Sequence, residues 1–191
     1  MRYLAVLLLC LMSLSAHAVV RTGLAPRTGT LLVATEQLKD PRFQQSVILL
    51  TRHDATGTAG LVLNRQLGQL PADLKTQLHT LPQGIFWGGP MAPLRVNALL
   101  FGPQHNLGST LAPGLSLLNS NELATMLHQS PLEAGEMRAY LGYAGWAPRQ
   151  LDYEIARGDW KVVPVNAATL QRLVPEQMWQ TFMSSVEGEW I

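Results

Sequence analysis

An α+β domain is what this sequence predicts, and three observations carry the prediction. Short apolar runs of three to six residues, bounded by Gly, Pro, Asp or Asn, recur along the chain as strand candidates. Between them stand segments with apolar residues three or four apart, opened by capping residues, which read as helices. The two kinds mix without the strict alternation that a doubly wound parallel sheet requires.

Composition supports one buried core. The chain has 191 residues, 47% apolar and 14% charged, which is ample core material and no signature of disorder. A chain of this size buries roughly 70% of the surface its unfolded form exposes, so it needs neither metal nor disulfide to hold together.

Residues 1–18 read differently. Met1-Arg2-Tyr3 is a short basic start, 4–14 is an almost unbroken apolar run, and Ala16 and Ala18 form the A-x-A pattern a signal peptidase accepts. The run of eleven residues falls short of the roughly twenty that span a bilayer. A cleavable export signal is expected, with no membrane span in the mature chain. Bulky Leu9 before Cys10 argues against lipidation. The competing reading starts translation at Met12 and keeps the protein in the cytoplasm; export to the periplasm is the expected course. Cleavage after Ala18 removes Arg2 and Cys10, leaving 13 basic and 13 acidic residues and no cysteine. That excludes a thiol nucleophile, a disulfide or a thiolate metal site. The basic residues stand singly from Arg21 to Arg172. Neutralising several phosphates takes clustered Lys and Arg, so nucleic acid is not an expected partner.

The elements follow in order. Residues 19–28 form a flexible lead, carrying Gly and Pro without a period, and a single domain occupies 29–191. A strand is expected over 31–35. Asp40-Pro41 opens a helical turn, Asp as N-cap and Pro at the first position. Strands over 47–51 and 60–64 form a hairpin whose loop is a turn-rich segment, His53 to Gly57. A short helix over 71–78 has Leu74 and Leu78 on one face. Strands over 85–87 and 96–101 flank Gly88-Gly89-Pro90. Asn119 and Glu122 open a helix as a capping box, followed by Leu123, Met126 and Leu127. A strand over 139–143 leads to a helix over 148–157, with Leu151 and Ile155 on one face and Gly158 at its end. A strand over 160–165 follows. Met178, Trp179, Phe182, Met183 and Val186 make a helical core stripe.

Few residues offer chemistry. Ser46 and His53 lie seven extended residues apart, about 23 Å, and on opposite faces of a regular strand. A Ser hydroxyl without a base is inert, and no G-x-S-x-G elbow exists. His53, His79, His105 and His128 stand more than twenty residues apart, so spacing suggests no metal site. Gly88-Gly89 permits either a tight turn or close backbone approach to a ligand, without a Walker or dinucleotide pattern. Leu141-Gly142-Tyr143-Ala144-Gly145-Trp146, followed by Gln150, Leu151 and Glu154, is a strand-to-helix corner. Its backbone N–H groups, indole and amide suit a small polar ligand or a peptide; its small residues equally suit tight packing.

The order Gly29-Thr-Leu-Leu-Val-Ala34, Leu38-Lys-Asp-Pro-Arg-Phe43, Ser46-Val-Ile-Leu-Leu50, His53, Gly57 and Gly60-Leu-Val-Leu-Asn64-Arg65 resembles the YqgE/AlgH family. Phe86-Trp-Gly-Gly-Pro90, Leu141-Gly-Tyr-Ala-Gly-Trp146, Gln150-Leu151, Glu154-Ile155, Trp160 and Trp179 extend the match over 28–186. The resemblance implies a mixed sheet bent into a pseudo-barrel with helices packed outside. It brings no agreed catalytic residues. Members often carry a transcriptional-regulator label, and they are usually short-leadered, so the export signal is a departure. After Pro90 this chain reads Met-Ala-Pro-Leu-Arg-Val, where the family more often shows an Arg-Gly and a Leu-His pair.

The function expected is a non-catalytic binding module for a protein or a small polar ligand, with no cofactor and no metal. Its expected cleft is lined by His53, Asn64, Arg65, Gly88, Gly89, Tyr143, Trp146 and Gln150. The alternative is a hydrolase using His53 with Asp40 or Glu154, which requires the pair within about 3 Å or bridged by water. A transcriptional regulator is the third reading.

Overall fold

A computed structural model describes residues 23–68, 85–102, 108–129 and 136–187. The helix expected over 71–78 lies outside them, as do His79 and His105. Nine strands and four helices are described: β1 (Thr30–Ala34), β2 (Val47–Asp54), β3 (Gly57–Val62), β4 (Ile85–Trp87), β5 (Met91–Phe101), β6 (Ser109–Ala112), β7 (Leu115–Asn119), α1 (Ser120–Gln129), β8 (Met137–Trp146), α2 (Gln150–Arg157), β9 (Trp160–Pro164), α3 (Ala167–Arg172) and α4 (Pro175–Glu187).

The strands form one sheet in the order β6-β7-β5-β8-β3-β2-β1-β9, with β4 added beside β8. The pairing is antiparallel except for β4 with β8, which is parallel and makes the sheet mixed. The sheet curls into a half-barrel. Gly29, with φ 80°, brings the start of β1 against the backbone of Leu111 on β6, although the two strands stand far apart in the sheet order. A Cβ on Gly29 would lie 2.0 Å from the Leu111 carbonyl oxygen, so only glycine permits that approach. The enclosed face gathers one continuous cluster, including Leu31, Leu49, Leu61, Phe86, Leu99, Leu111, Leu115 and Tyr140. Leu170 of α3 and Met178 of α4 pack onto it, and the Trp179 indole donates to the Ala34 carbonyl at 2.7 Å. The other face carries two patches, one covered by Leu123 and Met126 of α1, the other by Leu151 of α2.

Local chemistry sets the element ends. Asn119 Oδ1 accepts from the Asn121 and Glu122 amides while Glu122 Oε2 accepts from the Asn119 amide at 2.8 Å, the reciprocal capping box that the sequence predicts. Arg138, buried in β8, donates to the Gln171 and Leu173 carbonyls and so satisfies the C-terminus of α3.

One expectation is corrected. The segment from His53 to Gly57 is not a long loop: β2 runs on to Asp54, His53 pairs with Thr58, and Asp54 with Gly57. The turn is Ala55-Thr56 alone, with Asp54 Oδ1 accepting from the Thr56 amide and hydroxyl. Asp40 opens the expected helical turn over 41–45, its Oδ1 accepting from the Arg42 amide and its carbonyl from the Phe43 and Gln44 amides, and Gln45, with φ 55°, ends it.

Candidate functional site

A cleft of about 880 Å³ lies between the segment 37–43, the Pro90-Met91 entry to β5, and the β8–α2 corner. Its apolar wall is aromatic. Trp146 and Trp160 meet edge to face with centroids 6.1 Å apart, and Phe43 stands 6.4 Å from Trp160. Met91 is 48% exposed at the rim.

Glu154 organises the corner. Its Oε2 accepts from both indoles, Trp146 Nε1 and Trp160 Nε1, at 2.8 Å each, and its Oε1 accepts from Gln150 Nε2 at 2.9 Å. The Gln150 amide oxygen in turn accepts from the Ala147 backbone at 3.0 Å. One helix turn separates Gln150 from Glu154, so a single face of α2 supplies both. The other carboxylates of the cleft are also engaged. Asp40 accepts from Arg42 Nε and Nη2 at 3.0 and 2.7 Å, and buried Asp159 accepts from Arg157 Nε and Nη2. The Arg42 guanidinium holds the Asp40 carboxyl below the ordinary carboxylate range. The stability this pair contributes is therefore present above pH 3.8 and fades as the pH falls through the lowered value. Exposed Lys39 carries a charge with no ion pair among the described residues.

The expected site residues separate into groups. Trp146 and Gln150 line the cleft. His53 does not: its Nδ1 lies 2.8 Å from Thr58 Oγ1, and Ser46 Oγ donates to the Phe43 carbonyl instead of meeting it. Asn64 accepts from the Val47 amide and donates to the Gln45 carbonyl, and Arg65 donates to the Gln44 carbonyl. Both clamp the 41–45 turn from behind. Gly88 and Gly89 cross the backbone of β8 at Gly142 and Tyr143, too close for any side chain. Tyr143 packs against the cluster on the enclosed face, whereas Trp146, three residues on, joins the patch under α2. The sequence reading missed Phe43 and Trp160 as walls and Glu154 as the shared acceptor. Spacing of Gln150 and Glu154 was the available signal; Trp160 reaches them only through the fold.

Comparisons with known proteins agree with this architecture. The family described as DUF179, AlgH-like, matches residues 31–191. A UPF0301 protein of Xylella fastidiosa is 35% identical over 161 residues, covering 78% of this chain and 84% of that protein. A UPF0301 protein of Myxococcus xanthus is 34% identical over 157 residues, covering 79% and 86%. The crystal structure of protein DIP2367 from Corynebacterium diphtheriae superposes with a TM-score of 0.71 at 26% identity, covering 85% of this chain and 88% of that one. The solution structure of the AlgH protein from Pseudomonas aeruginosa gives 0.65 at 26% identity, covering 82% and 87%.

Proposed function

We propose that this chain, which belongs to the AlgH-like family, works as a non-catalytic binding module that captures a protein segment or a small polar ligand in the Trp146–Trp160 cleft. The observation that carries this reading is the state of the cleft's polar groups. All three carboxylates are spent on internal donors, while an apolar rim at Met91 and the Lys39 charge face the opening. Such a surface holds a partner through burial and one charge, and offers no nucleophile beside a base. The hydrolase reading has no comparable support. His53 is hydrogen-bonded to Thr58, and Asp40 and Glu154 belong to a cleft that His53 does not line. The regulator label gains nothing from the singly scattered cations.

Trp146 is the wrong residue to probe. It is 7% exposed and part of the core, so its removal costs about 3–5 kcal/mol of stability whatever the cleft does. Met91 and Lys39 stand at the rim. A photo-crosslinking residue in place of Met91 is expected to trap one partner in the native compartment, and Lys39→Glu to lower the yield at least tenfold with an unchanged melting curve. Equal yields with Lys39→Glu, or trapping no different from a crosslinker placed at exposed Thr56, would remove the cleft from the function.

Export is part of the same proposal. The mass of the native protein should correspond to a chain beginning at Val19; a cytosolic protein retaining Met1 or Met12 would overturn it.

A further inference from the structure

The inward positions of the half-barrel change character at one end. Along β2, β3 and β5 the enclosed face carries Leu49, Leu61 and Leu99. Beyond them the same face turns polar. A bulge after Leu50 sets Arg52 opposite Ala59, two residues from Leu61. Asn97 and Arg95 continue the alternation below Leu99 on β5, and Tyr143 comes in from β8. These residues, with Thr51 and Leu117, surround a pocket of about 270 Å³. It lies on the opposite face of β8 from the cleft walled by Trp146.

The pocket's charge is one-sided. Two guanidiniums line it and no carboxylate does. Arg95 rests with its guanidinium carbon 6.0 Å from the centre of the Tyr143 ring and has no carboxylate partner among the described residues. Arg52 makes only a loose, exposed ion pair, its Nε 3.8 Å from Asp54 Oδ2, while the other Asp54 oxygen accepts from Thr56. Asn97 is only 5% exposed and donates to the Gly142 carbonyl at 3.3 Å, which fixes its amide at the pocket's base. With Asp54 outside the pocket and only loosely paired, the two guanidiniums lining it are free to turn their paired N–H groups on one planar or tetrahedral oxyanion.

We infer that this pocket binds a small organic oxyanion, a phosphate or carboxylate held between Arg52 and Arg95 with its apolar part against Tyr143 and Leu117. The site is independent of the cleft, so either can fail without the other.

The test titrates phenyl phosphate, benzoate and benzyl alcohol separately into the mature chain at low ionic strength, read by calorimetry and by the Asn97 side-chain amide resonance. Saturable binding of at least one anion is expected, weakened at least tenfold in Arg52→Gln/Arg95→Gln, with no binding of the neutral alcohol. Which anion binds more tightly identifies the source as phosphate or carboxylate. Both arginines are exposed, so the double variant should melt as the parent does; should it not, Arg95→Lys serves, retaining the charge but losing the paired N–H groups and most of the affinity. Failure of both anions to saturate, equal affinity in parent and variant, or equal binding of the alcohol overturns the inference.

Discussion

Gly89→Ala is expected to abolish cooperative folding. Gly89 has φ 147°, and a Cβ on it would lie 2.1 Å from the Tyr143 carbonyl carbon and 2.3 Å from the Ala144 nitrogen. These are backbone atoms of the central strand and cannot turn aside as a side chain would. Gly142 mirrors it across the crossing, with φ 73° and a would-be Cβ 2.3 Å from the Gly89 carbonyl oxygen. Separating the strands to admit a methyl would disturb the Gly88 amide bond to the Leu141 carbonyl, 2.7 Å, and the Val62 amide bond to the Gly88 carbonyl, 2.9 Å. A loss above about 4 kcal/mol is expected, comparable to the whole stability of many domains. Gly145→Ala is the control from the same motif: the nearest atoms a Cβ there would meet belong to the Tyr143 and Met91 side chains, at 3.4 Å or more. Thermal melts should show a near-parental transition for Gly145→Ala and none for Gly89→Ala. A folded Gly89→Ala protein would mean that the two strands can part at the crossing without losing the sheet.

Glu154→Ala is the second large effect. It leaves two indole N–H groups, on Trp146 and Trp160, without an acceptor. Both rings are buried, and an unsatisfied buried donor costs about 1–3 kcal/mol. Adding both, and allowing for water entering a partly open cleft, gives a destabilisation of about 3 kcal/mol. Glu154→Gln should cost less. Its amide oxygen can still receive both indoles, while its NH2 group meets the Gln150 NH2 and breaks only that bond. Denaturant titration followed by tryptophan fluorescence would rank the variants. Equal losses for Gln and Ala would show that the negative charge, more than the acceptor geometry, holds the corner.

Sequence legibility followed the range of the interactions. The Asn119–Glu122 box was readable because every partner lies within three residues. The α2 helix was readable from Leu151 and Ile155 and from Gly158, which ends it with φ 91°. The end of β2 was not, because Thr51-Arg52-His53-Asp54 breaks the apolar run while remaining in the ladder. Strands β6 and β7 escaped for a similar reason: Ser109, Thr110 and Ser116 interrupt them, and their pairing supplies what local pattern lacks. At the site, Trp146 and Gln150 are near in sequence and line one cleft. Asn64 and Arg65, expected beside them, instead bond the backbone at 44–47, some twenty residues earlier, a partnership set by tertiary contact. The glycine motifs were each noticed, but that Gly88-Gly89 and Gly142 exist for one another is a tertiary fact.

The position of β8 in the chain has a kinetic consequence. This strand alone touches β3, β4 and β5, yet it is synthesised after all of them. Until residue 146 is available, the earlier hairpin of β2 and β3 and the later pair of β5 and β7 have no shared neighbour to join them. Closing such long sequence separations costs loop entropy before any contact repays it, which puts formation of the whole sheet on a time scale of about milliseconds to seconds. A mature chain truncated ahead of β8 should therefore remain sensitive to protease, and resistance should appear only in the full chain, where α3 and α4 also close the core.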